Sequence, residues 1–327
     1  MANLDKNQKN MNILITGIHG FVGSNLVEYM KGKHAIYGLD IVAPEKEGVV
    51  KTFSWDAIGN EGLPQFDVII HLAGKAHDTK NQAQADVYFK VNTDLTKKIY
   101  DYALSHEVKK FIFFSSVKAA ADTVPGDVLT EEIVPAPVGP YGESKIAAEN
   151  YILSCETERM AKGMEAYIMR PCMIHGPGNK GNLNLLYGVV SKRIPWPLGA
   201  FENRRSFTSI DNLCYVIERL IALPVESGIY HMGDDEALST NELIAVMCGA
   251  LGRKAHIWRL PQGIMNGLAK MGGWLHLPLN PERLRKLTEN YVVSNDKIKR
   301  AIGIEKMPVR ADEGLEKTIR SFKNAKV

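Results

Sequence analysis

Cysteine is scarce in this sequence, and the few cysteines are scattered. Four occur among 327 residues, at Cys155, Cys172, Cys214 and Cys248, and no two of them form a CxxC pair. Zinc and dithiol motifs need clustered thiols, so this spacing argues against both, and no metal site is predicted. Widely separated cysteines in a chain of this length are typical of a reducing compartment, and we expect a cytoplasmic protein.

Long apolar runs, an excess of one charge and a leader-like segment are also missing. No stretch approaches 18 apolar residues, so no membrane span is expected. The chain has 40 Lys and Arg against 37 Asp and Glu, a net charge of +3 that gives no indication of nucleic-acid binding. The first ten residues, MANLDKNQKN, lack the apolar core of a signal peptide, and we expect residues 1–10 to form a flexible tail.

Apolar runs alternate with helical patterns through the first half of the chain. The composition, 45% hydrophobic and 24% charged, is that of a globular protein of about two domains. Helices are predicted over 21–31, 82–105 and 141–162. The predicted strands are NILIT (12–16), HAIYGL (34–39), FDVIIHL (66–72), KFIFFS (110–115) and EAYIMR (165–170). This alternation predicts an α/β protein with a Rossmann-type, doubly wound parallel sheet.

The pattern changes after Pro171. Helices are predicted near 181–192 and over 211–223, with a strand at 228–232 between the second helix and a largely helical tail over 254–322. Ser239 and Glu242 have the spacing of a capping box that opens a further helix. The predicted nucleotide-binding domain comprises 11–171 and about 204–232. A smaller, interleaved α/β substrate domain comprises about 172–203 and 233–322.

A glycine-rich turn follows the first predicted strand. In TGIHGFVG (16–23), Gly17 permits a tight turn, Gly20 lets a pyrophosphate approach the backbone, and Gly23 lets the helix pack on the strand. The helix N-terminus supplies free N–H groups for phosphates. Asp40 follows at the distance expected of a carboxylate that binds the adenosine ribose hydroxyls. It would repel a 2′-phosphate, so NAD is favoured over NADP.

Some of these residues keep a second interpretation. The glycine turn could be a plain turn, with Asp40 capping a helix. Asp56, after a third strand-like run FSW (53–55), could reach the adenine, or it could be an acid in a surface loop. His71 in HLAG is interpreted as a packed histidine where the fourth strand meets the cofactor, with no catalytic role.

A tyrosine and a lysine lie four residues apart in PYGESK. That spacing places Tyr141 and Lys145 on one helix face, where the ammonium would favour the phenolate and make a general base. About one such pair is expected by chance in this composition, and Tyr29 with Lys33 is a second match, interpreted as structural. Ser116 distinguishes the first pair, because it ends a strand 25 residues before Tyr141 and can bind the substrate oxygen.

Together these motifs resemble the extended short-chain dehydrogenase/reductase family of nucleotide-sugar enzymes, over nearly the whole chain. The matching stretches are TGIHGFVG, HLAG, VNTDLT, FFSS, PYGESK, RPCMIHGPG, RRSFTSIDN and GIYHMGDDEALS. The resemblance implies that Ser116, Tyr141 and Lys145 form a catalytic triad. It also implies a homodimer that pairs helices around 90–105 and 141–160.

The resemblance further implies sites for a dinucleotide and a nucleotide sugar. The cofactor is NAD, with NADP as the alternative. The implied cofactor-binding residues are Gly17, Gly20, Phe21, Val22, Gly23, Asp40, Asp56, Leu72, Ala73, Gly74, Asn92, Tyr141 and Lys145. Ser116, Asn182 and Arg205 would bind the UDP-sugar, the last two through the diphosphate, although Arg205 could also be a solvated surface arginine.

One departure from the family narrows the expected reaction. Its 4,6-dehydratases carry an acid directly after the catalytic hydroxyl residue, whereas this sequence has Val117 and Lys118, so dehydration is disfavoured. The sequence is most similar to a bacterial branch used in polysaccharide synthesis. We expect an NAD-dependent epimerase acting at C4 of a UDP-hexose or UDP-N-acetylhexosamine through a 4-keto intermediate. The alternatives are an NAD(P)H-dependent 4-ketoreductase of a UDP-4-keto-6-deoxy-N-acetylhexosamine and, third, a non-catalytic dinucleotide-binding regulator.

Overall fold

A parallel sheet organises the chain in the computed structural model, which describes residues 10–60, 62–75, 84–179, 181–274 and 280–324. The predicted tail lies almost entirely outside these ranges. Within them, seven strands form one sheet in the order β3-β2-β1-β4-β5-β6-β9. Their bounds are β1 (Asn12–Thr16), β2 (Ala35–Leu39), β3 (Val49–Phe53), β4 (Val68–His71), β5 (Lys110–Phe114), β6 (Glu165–Pro171) and β9 (Gly228–Met232).

Burial on both faces explains why these strands are apolar throughout. In β1, Ile13 and Ile15 pack into the core on one side of the sheet, while Leu14 packs into the core on the other side. All three side chains are fully buried. Helices cover both faces of a parallel sheet, so alternate residues of a strand need not be polar. The predicted doubly wound sheet is therefore confirmed.

The helices mostly follow the predicted pattern. Their bounds are α1 (Phe21–Met30), α2 (Ala85–Tyr88), α3 (Leu95–Ser105), α4 (Val117–Ala120), α5 (Gly139–Ser154), α6 (Glu156–Ala161), α7 (Asn182–Ser191), α8 (Ile210–Ala222), α9 (Thr240–Ala250), α10 (Gln262–Trp274), α11 (Pro281–Thr288), α12 (Asp296–Ile302) and α13 (Ala311–Asn324). The predicted capping box is present at α9, where Ser239 and Glu242 exchange hydrogen bonds. None of the helices described here has the length and apolar character required to cross a bilayer.

Two predicted helices are interrupted. The prediction over 82–105 begins at Ala85, with 82–83 outside the described residues, and contains a π-helical segment, Phe89–Asp94. The prediction over 141–162 is wrong as a single helix, because the chain breaks at Cys155. The N–H of Cys155 bonds to the carbonyls of Ile152 and Leu153, which tightens the last turn and ends α5.

The third strand of the main sheet, β3, covers 49–53 and not the predicted run FSW, whose Trp55 begins a 3-10 helix. A short pair of strands beside the sheet was not predicted. β7 (Met173–His175) and β8 (Phe207–Ser209) pair in parallel beside the main sheet. Three residues are too few to give a recognisable alternation of apolar and polar side chains. A separate core joins α7, α9, α10, α11 and α13, with Leu183, Met247, Met265, Leu284 and Ile319 among its buried members. The division into two interleaved domains stays a prediction.

A buried ion pair fastens α5 to the sheet. Arg170 of β6 donates from Nε to both carboxylate oxygens of Glu149, at 3.0 and 3.1 Å, and a third bond runs from its Nη2. Both side chains are almost completely buried. Ser115, at the end of β5, also donates to the Glu149 carboxylate. The helix that carries Tyr141 and Lys145 is thereby tied to two strands.

Replacing one member of this pair should destabilise the protein strongly. Glu149→Leu leaves the Arg170 guanidinium buried without its counter-charge, and we expect the free energy of unfolding to fall by about 3–5 kcal/mol. The matched control is Glu149→Leu with Arg170→Met, which replaces both charges by apolar side chains and should recover most of that loss. Urea unfolding measures both variants. Equal destabilisation of the single and double variants would contradict the buried-charge argument.

Candidate active site

The predicted site residues gather at the carboxyl ends of the central strands. The glycine turn follows β1, Asp40 follows β2, residues 72–74 follow β4, and Ser116 lies two residues after β5. Because all these strands are parallel, their carboxyl ends lie along one edge of the sheet. The topology therefore brings together segments that are far apart in sequence.

The glycine turn is too crowded for other residues. Gly17 has a φ of +68°, and a Cβ there would lie 3.0 Å from the backbone nitrogen of Ala73. A Cβ at Gly23 would lie 2.6 Å from the carbonyl oxygen of Gly17. Gly20 caps α1, and the next residues, Phe21 and Val22, begin that helix. The turn thus leaves open backbone at a helix N-terminus, which fits a diphosphate.

Asp40 stands at the edge of this turn. Its carboxylate accepts hydrogen bonds from the backbone N–H of His19, at 3.0 Å, and of Ile41, at 2.7 Å. Lys46 donates to the Ser24 hydroxyl of α1 at 2.7 Å. This lysine was not among the predicted site residues. Burial lowers the pKa of Lys46, and the nearby Asp40 charge opposes that shift. A lysine in a loop carries no sequence signal of this proximity.

Asp56 lies in a one-turn 3-10 helix, Trp55–Ala57, after β3. The end of β3 is next to Asp40, since the Asp40 N–H donates to the Phe53 carbonyl at 3.0 Å. The Asp56 side chain is exposed. This position is compatible with both interpretations of Asp56, an adenine contact and a surface acid.

Asn92 is held by the π-helical segment against the loop after β4. The segment buries Asn92 completely, and its amide donates to the Ser144 hydroxyl of α5 at 2.9 Å. Its Oδ1 accepts from the backbone N–H of Lys75 at 2.7 Å. A Cβ at Gly74 would lie 3.0 Å from Asn92 Oδ1 and 3.2 Å from Lys145 Nζ. π-helical segments are frequent at functional sites, and this one places Asn92 beside Gly74 and Lys145.

His71 is a structural residue, as predicted. It is fully buried, and its ring nitrogens bond to Thr16 Oγ1 at 2.7 Å and to Thr96 Oγ1 at 2.9 Å. Burial, followed by the Lys145 charge, lowers its pKa to about 3. The neutral ring therefore links Thr16 of β1 to Thr96 of α3. Thr16 also accepts the N–H of Ala73, which positions the loop after β4.

The Ser116 hydroxyl interacts with Tyr141 and lowers its pKa. Ser116 is the N-cap of the short helix α4, and the Tyr141 ring packs edge-on against Tyr88 with centroids 6.3 Å apart. Burial raises the pKa of Tyr141, Ser116 lowers it, and Tyr88 raises it, with a net rise. Lys145 is not among these causes, so the expectation that its ammonium favours the phenolate stays a prediction.

Lys145 is held at the end of β5. Its ammonium donates to the Phe114 carbonyl at 2.7 Å, at the end of β5. Burial lowers the pKa of Lys145, and the Glu149 carboxylate, one turn further along α5, raises it. The net result is a fall from 10.5 to about 8. Tyr141, Lys145 and Glu149 thus share one face of α5, because they are spaced by four residues.

Arg205 lies in a segment that adjoins the triad. Its backbone bridges to Leu238 and to Tyr291, and its guanidinium donates to the Lys286 carbonyl. The Tyr291 hydroxyl in turn donates to the Ala121 carbonyl at 2.7 Å, beside α4. Burial lowers the pKa of Arg205, which argues against a freely solvated arginine. Asn182 is the first residue of α7, and its side chain lies outside the described residues.

The residues after Ser116 provide no free acid. Val117 is buried in a small apolar cluster, and Lys118 forms an ion pair with Asp122 at 3.1 Å. Burial alone would raise the pKa of Asp122, but Lys118 and Arg285 bring it below its usual value. The first carboxylate after Ser116 is therefore ionised and paired, which makes it a poor proton donor.

The lowered pKa of Lys145 predicts a pH dependence of stability. Between about pH 8 and pH 10.5 the unfolded chain holds a proton on this lysine that the folded protein has lost. The contribution of Lys145 to stability therefore rises with pH in this window, by about 2 kcal/mol from pH 7.5 to 9.5. Urea unfolding of the wild type and of Lys145→Met at both pH values measures it. The variant should lack this rise, and an identical pH dependence in both proteins would refute it.

Known proteins resemble this chain in sequence and in fold. The sequence pattern of the NAD dependent epimerase/dehydratase family matches residues 13–233. A UDP-glucose 4-epimerase of Vibrio cholerae is 31% identical over 328 residues, which cover 96% of each chain. An N-acetyl-alpha-D-glucosaminyl-diphospho-ditrans,octacis-undecaprenol 4-epimerase of Escherichia coli O157:H7 is 28% identical and covers 89% of this chain and 85% of its own.

Solved structures share the fold at lower identity. A UDP-glucuronic acid 4-epimerase from Bacillus cereus, in complex with NAD, has a TM-score of 0.72 at 19% identity and covers 96% of this chain and 99% of its own. MoeE5 in complex with UDP-glucose and NAD has a TM-score of 0.74 at 18% identity, over 97% of this chain and 100% of its own. Since the family pattern spans well over half of the sequence, this chain belongs to the NAD-dependent epimerase/dehydratase family.

Proposed function

We propose that the protein is an NAD-dependent 4-epimerase of a UDP-hexose or UDP-N-acetylhexosamine. The observation that carries the proposal is the placement of Ser116, Tyr141 and Lys145 together at the end of β5, on the same edge of the sheet as Gly74 and Asn92. The Ser116 hydroxyl also acts on Tyr141, because it lowers the pKa of the tyrosine. A hydroxyl pair of this kind can hold one sugar oxygen and move its proton.

The residues at the strand ends fit a dinucleotide. A Cβ at Gly17 or Gly23 would fill the space beside the turn, and α1 begins there with free N–H groups. The Asp40 carboxylate suits the ribose hydroxyls of NAD and disfavours the extra phosphate of NADP. When bound, NAD would supply reversible hydride chemistry at the sugar carbon, and return of the hydride to the opposite face of the keto-sugar would give the epimer. The solved MoeE5 and Bacillus cereus structures were obtained with NAD.

The chain's own residues supply binding and proton transfer. Tyr141 takes the proton of the C4 hydroxyl as the sugar is oxidised to a 4-keto form, and it returns a proton to that oxygen on reduction. Ser116 holds the same oxygen and stabilises the phenolate, in agreement with the direction in which it shifts the Tyr141 pKa. Lys145, fixed by Phe114, keeps a positive charge at the site whenever it is protonated.

The raised pKa of Tyr141 bears on this role. In the protein alone the tyrosine is neutral at physiological pH, because burial outweighs the effect of Ser116. A positive charge near the ring favours the phenolate. The oxidised nicotinamide carries such a charge, so we infer that the base becomes effective only when cofactor is bound.

The UDP group would be held by few residues. Arg205 is half-buried, and its segment adjoins α4 through Tyr291. A guanidinium matches the oxygens of a diphosphate in a bidentate geometry. We propose that Arg205 contacts the diphosphate, with Asn182 at the start of α7 as its partner.

Epimerisation is favoured over the alternatives. Dehydration is disfavoured because Val117 is buried and Asp122 is already paired. The Vibrio cholerae UDP-glucose 4-epimerase matches over 96% of both chains, whereas a GDP-6-deoxy-D-mannose reductase of Pseudomonas aeruginosa is 22% identical over 252 residues. This contrast supports the epimerase over the 4-ketoreductase. The interaction of Ser116 with Tyr141 argues against a non-catalytic regulator.

We also propose a cytoplasmic homodimer and a role in surface polysaccharide synthesis. Helices α3 and α5 lie side by side, since the Tyr151 hydroxyl donates to the Asp101 carboxylate. Their outer sides would form the dimer face. An epimerised UDP-hexosamine is a suitable donor for a polysaccharide repeat unit.

Replacing Asp40 should weaken NAD binding selectively. Asp40→Ala removes the carboxylate proposed to bind the ribose, and we expect the Kd of NAD to rise about tenfold while that of NADP rises less. Asp56→Ala is the matched control, because it removes an exposed carboxylate nearby. Titration of tryptophan fluorescence with each cofactor measures both variants. A proportional loss for NAD and NADP would contradict the assignment of Asp40.

Replacing Tyr141 should abolish the chemistry and spare the fold. Tyr141→Phe removes the group that moves the proton, so kcat should fall by about 10²–10⁴-fold. Tyr29→Phe is the control, since the Tyr29 hydroxyl bonds to Glu218 on α8. Interconversion of UDP-GlcNAc with UDP-GalNAc and of UDP-glucose with UDP-galactose is followed by chromatography.

The same assay separates the two candidate reactions. An epimerase interconverts the sugars with no net change in reduced cofactor, measured at 340 nm. A ketoreductase consumes NAD(P)H stoichiometrically and acts only on the UDP-4-keto-6-deoxy sugar. Stoichiometric consumption of NAD(P)H would show that the protein is the ketoreductase and would contradict the epimerase proposal. Full turnover by Tyr141→Phe would refute the mechanism for both.

A further inference from the structure

Helix α10 carries a stripe of exposed apolar side chains. Ile264, Leu268, Met271 and Trp274 are 55%, 41%, 50% and 80% exposed. We call these four residues the α10 stripe. Residues spaced by three or four lie on one side of a helix, so the four side chains line one surface. Contiguous apolar surface of this kind marks an interaction site.

The opposite side of α10 already has its partners. Met265, Ala269 and Gly272 are buried against the core formed by α7, α9, α11 and α13. The Gln262 side chain donates to the Ala200 carbonyl at 2.9 Å, which fixes the start of the helix. The α10 stripe is therefore additional to the surface that α10 needs for folding.

The sequence around the α10 stripe is positively charged, although the exposed Glu202 lies close to the start of the helix through the contact of Gln262 with Ala200. The sequence has no Asp or Glu from residue 243 to residue 281, a stretch that contains all of α10. The same stretch holds Arg253, Lys254, Arg259 and Lys270, of which the last three are exposed. Glu282, the first acid after the stretch, is paired with Lys286 at 2.7 Å. The net charge of +3 for the whole chain conceals this local excess.

The segment before α10 extends this character. It exposes Trp258 and lines a cavity of about 350 Å³ together with the end of α7. The charged and titratable residues around this cavity are Arg193, Cys248, Arg253, Lys254 and His256, and no carboxylate is among its described lining residues. Ile194, on the rim, is exposed as well.

These observations favour one occupant. A second copy of the same face would bring like charges together around the apolar contact, which opposes a symmetric dimer there. A surface of anionic lipids offers both an apolar layer for the stripe and negative charge for the basic residues. Tryptophan suits the boundary between the two, because its ring is apolar and its N–H is polar.

We propose that α10 docks this protein on the surface of a membrane containing anionic phospholipid. With 13 residues the helix is about 20 Å long, too short to span a bilayer and long enough to lie along it. The α10 stripe enters the acyl boundary, and Lys254, Arg259 and Lys270 face the headgroups. This inference stands on the surface alone and does not depend on the proposed reaction.

Vesicle flotation tests the proposal with the full-length protein. The probes are vesicles of phosphatidylcholine alone and vesicles of phosphatidylcholine with phosphatidylglycerol. We expect binding to the second kind, weakened by added salt because headgroup attraction is screened. Leu268→Ser with Trp274→Ser should lower the bound fraction about tenfold. Lys254→Glu with Lys270→Glu should lower binding to the anionic vesicles to a similar extent.

A matched control uses exposed apolar residues elsewhere. Val134 and Val138 are 83% and 70% exposed in the loop before α5, and Val134→Ser with Val138→Ser should bind vesicles like the wild type. Absence of wild-type binding to anionic vesicles would overturn the proposal, as would an equal loss in the control. The alternative occupant of this face is a second copy of the chain, which light scattering after gel filtration detects. If the protein forms a dimer that Leu268→Ser with Trp274→Ser abolishes, and does not bind vesicles, the face is an interface between copies. That result would also overturn the membrane proposal. UDP-sugar interconversion in solution, measured on the same variants, reports on the proposed function separately.

Discussion

The position of the site depends on one buried ion pair. Glu149 on α5 and Arg170 on β6 exclude water from their contact, and Ser115 at the end of β5 adds a further bond. A charge in the interior cannot move away from its partner without a large loss of free energy, so the pair leaves α5 little freedom on the sheet. Because Tyr141 and Lys145 share the Glu149 face of α5, the pair also sets where their side chains meet the strand ends.

Burial then determines the ionisation of the site. It lowers the pKa of Lys145 to about 8 and that of His71 to about 3, and it raises that of Tyr141. The histidine is consequently neutral and structural, and the tyrosine is neutral in the protein alone. The same low-polarity environment that holds the residues in place thus keeps the proposed base inactive in the protein alone.

Prediction from the sequence succeeded where the physical signal is local. The buried strands appear as apolar runs because both faces of the sheet are covered, and the capping box at Ser239 and Glu242 needs only four consecutive residues. It failed where the signal is short or depends on neighbours. β7 and β8 have three residues each, and the break at Cys155 and the π-helical segment arise inside continuous helical patterns.

By itself, the sequence determined the fold class, six of the seven strands of the main sheet, the glycine turn and the candidate triad, because each is encoded in residue type and spacing. Only the tertiary structure decided that Lys145 bonds to Phe114, that Lys46 bonds to Ser24, and that Glu149 pairs with Arg170. It also decided which side of α10 stays exposed. Contacts, burial and pKa values depend on residues that are distant in sequence, and no pattern along the chain records which of them become neighbours.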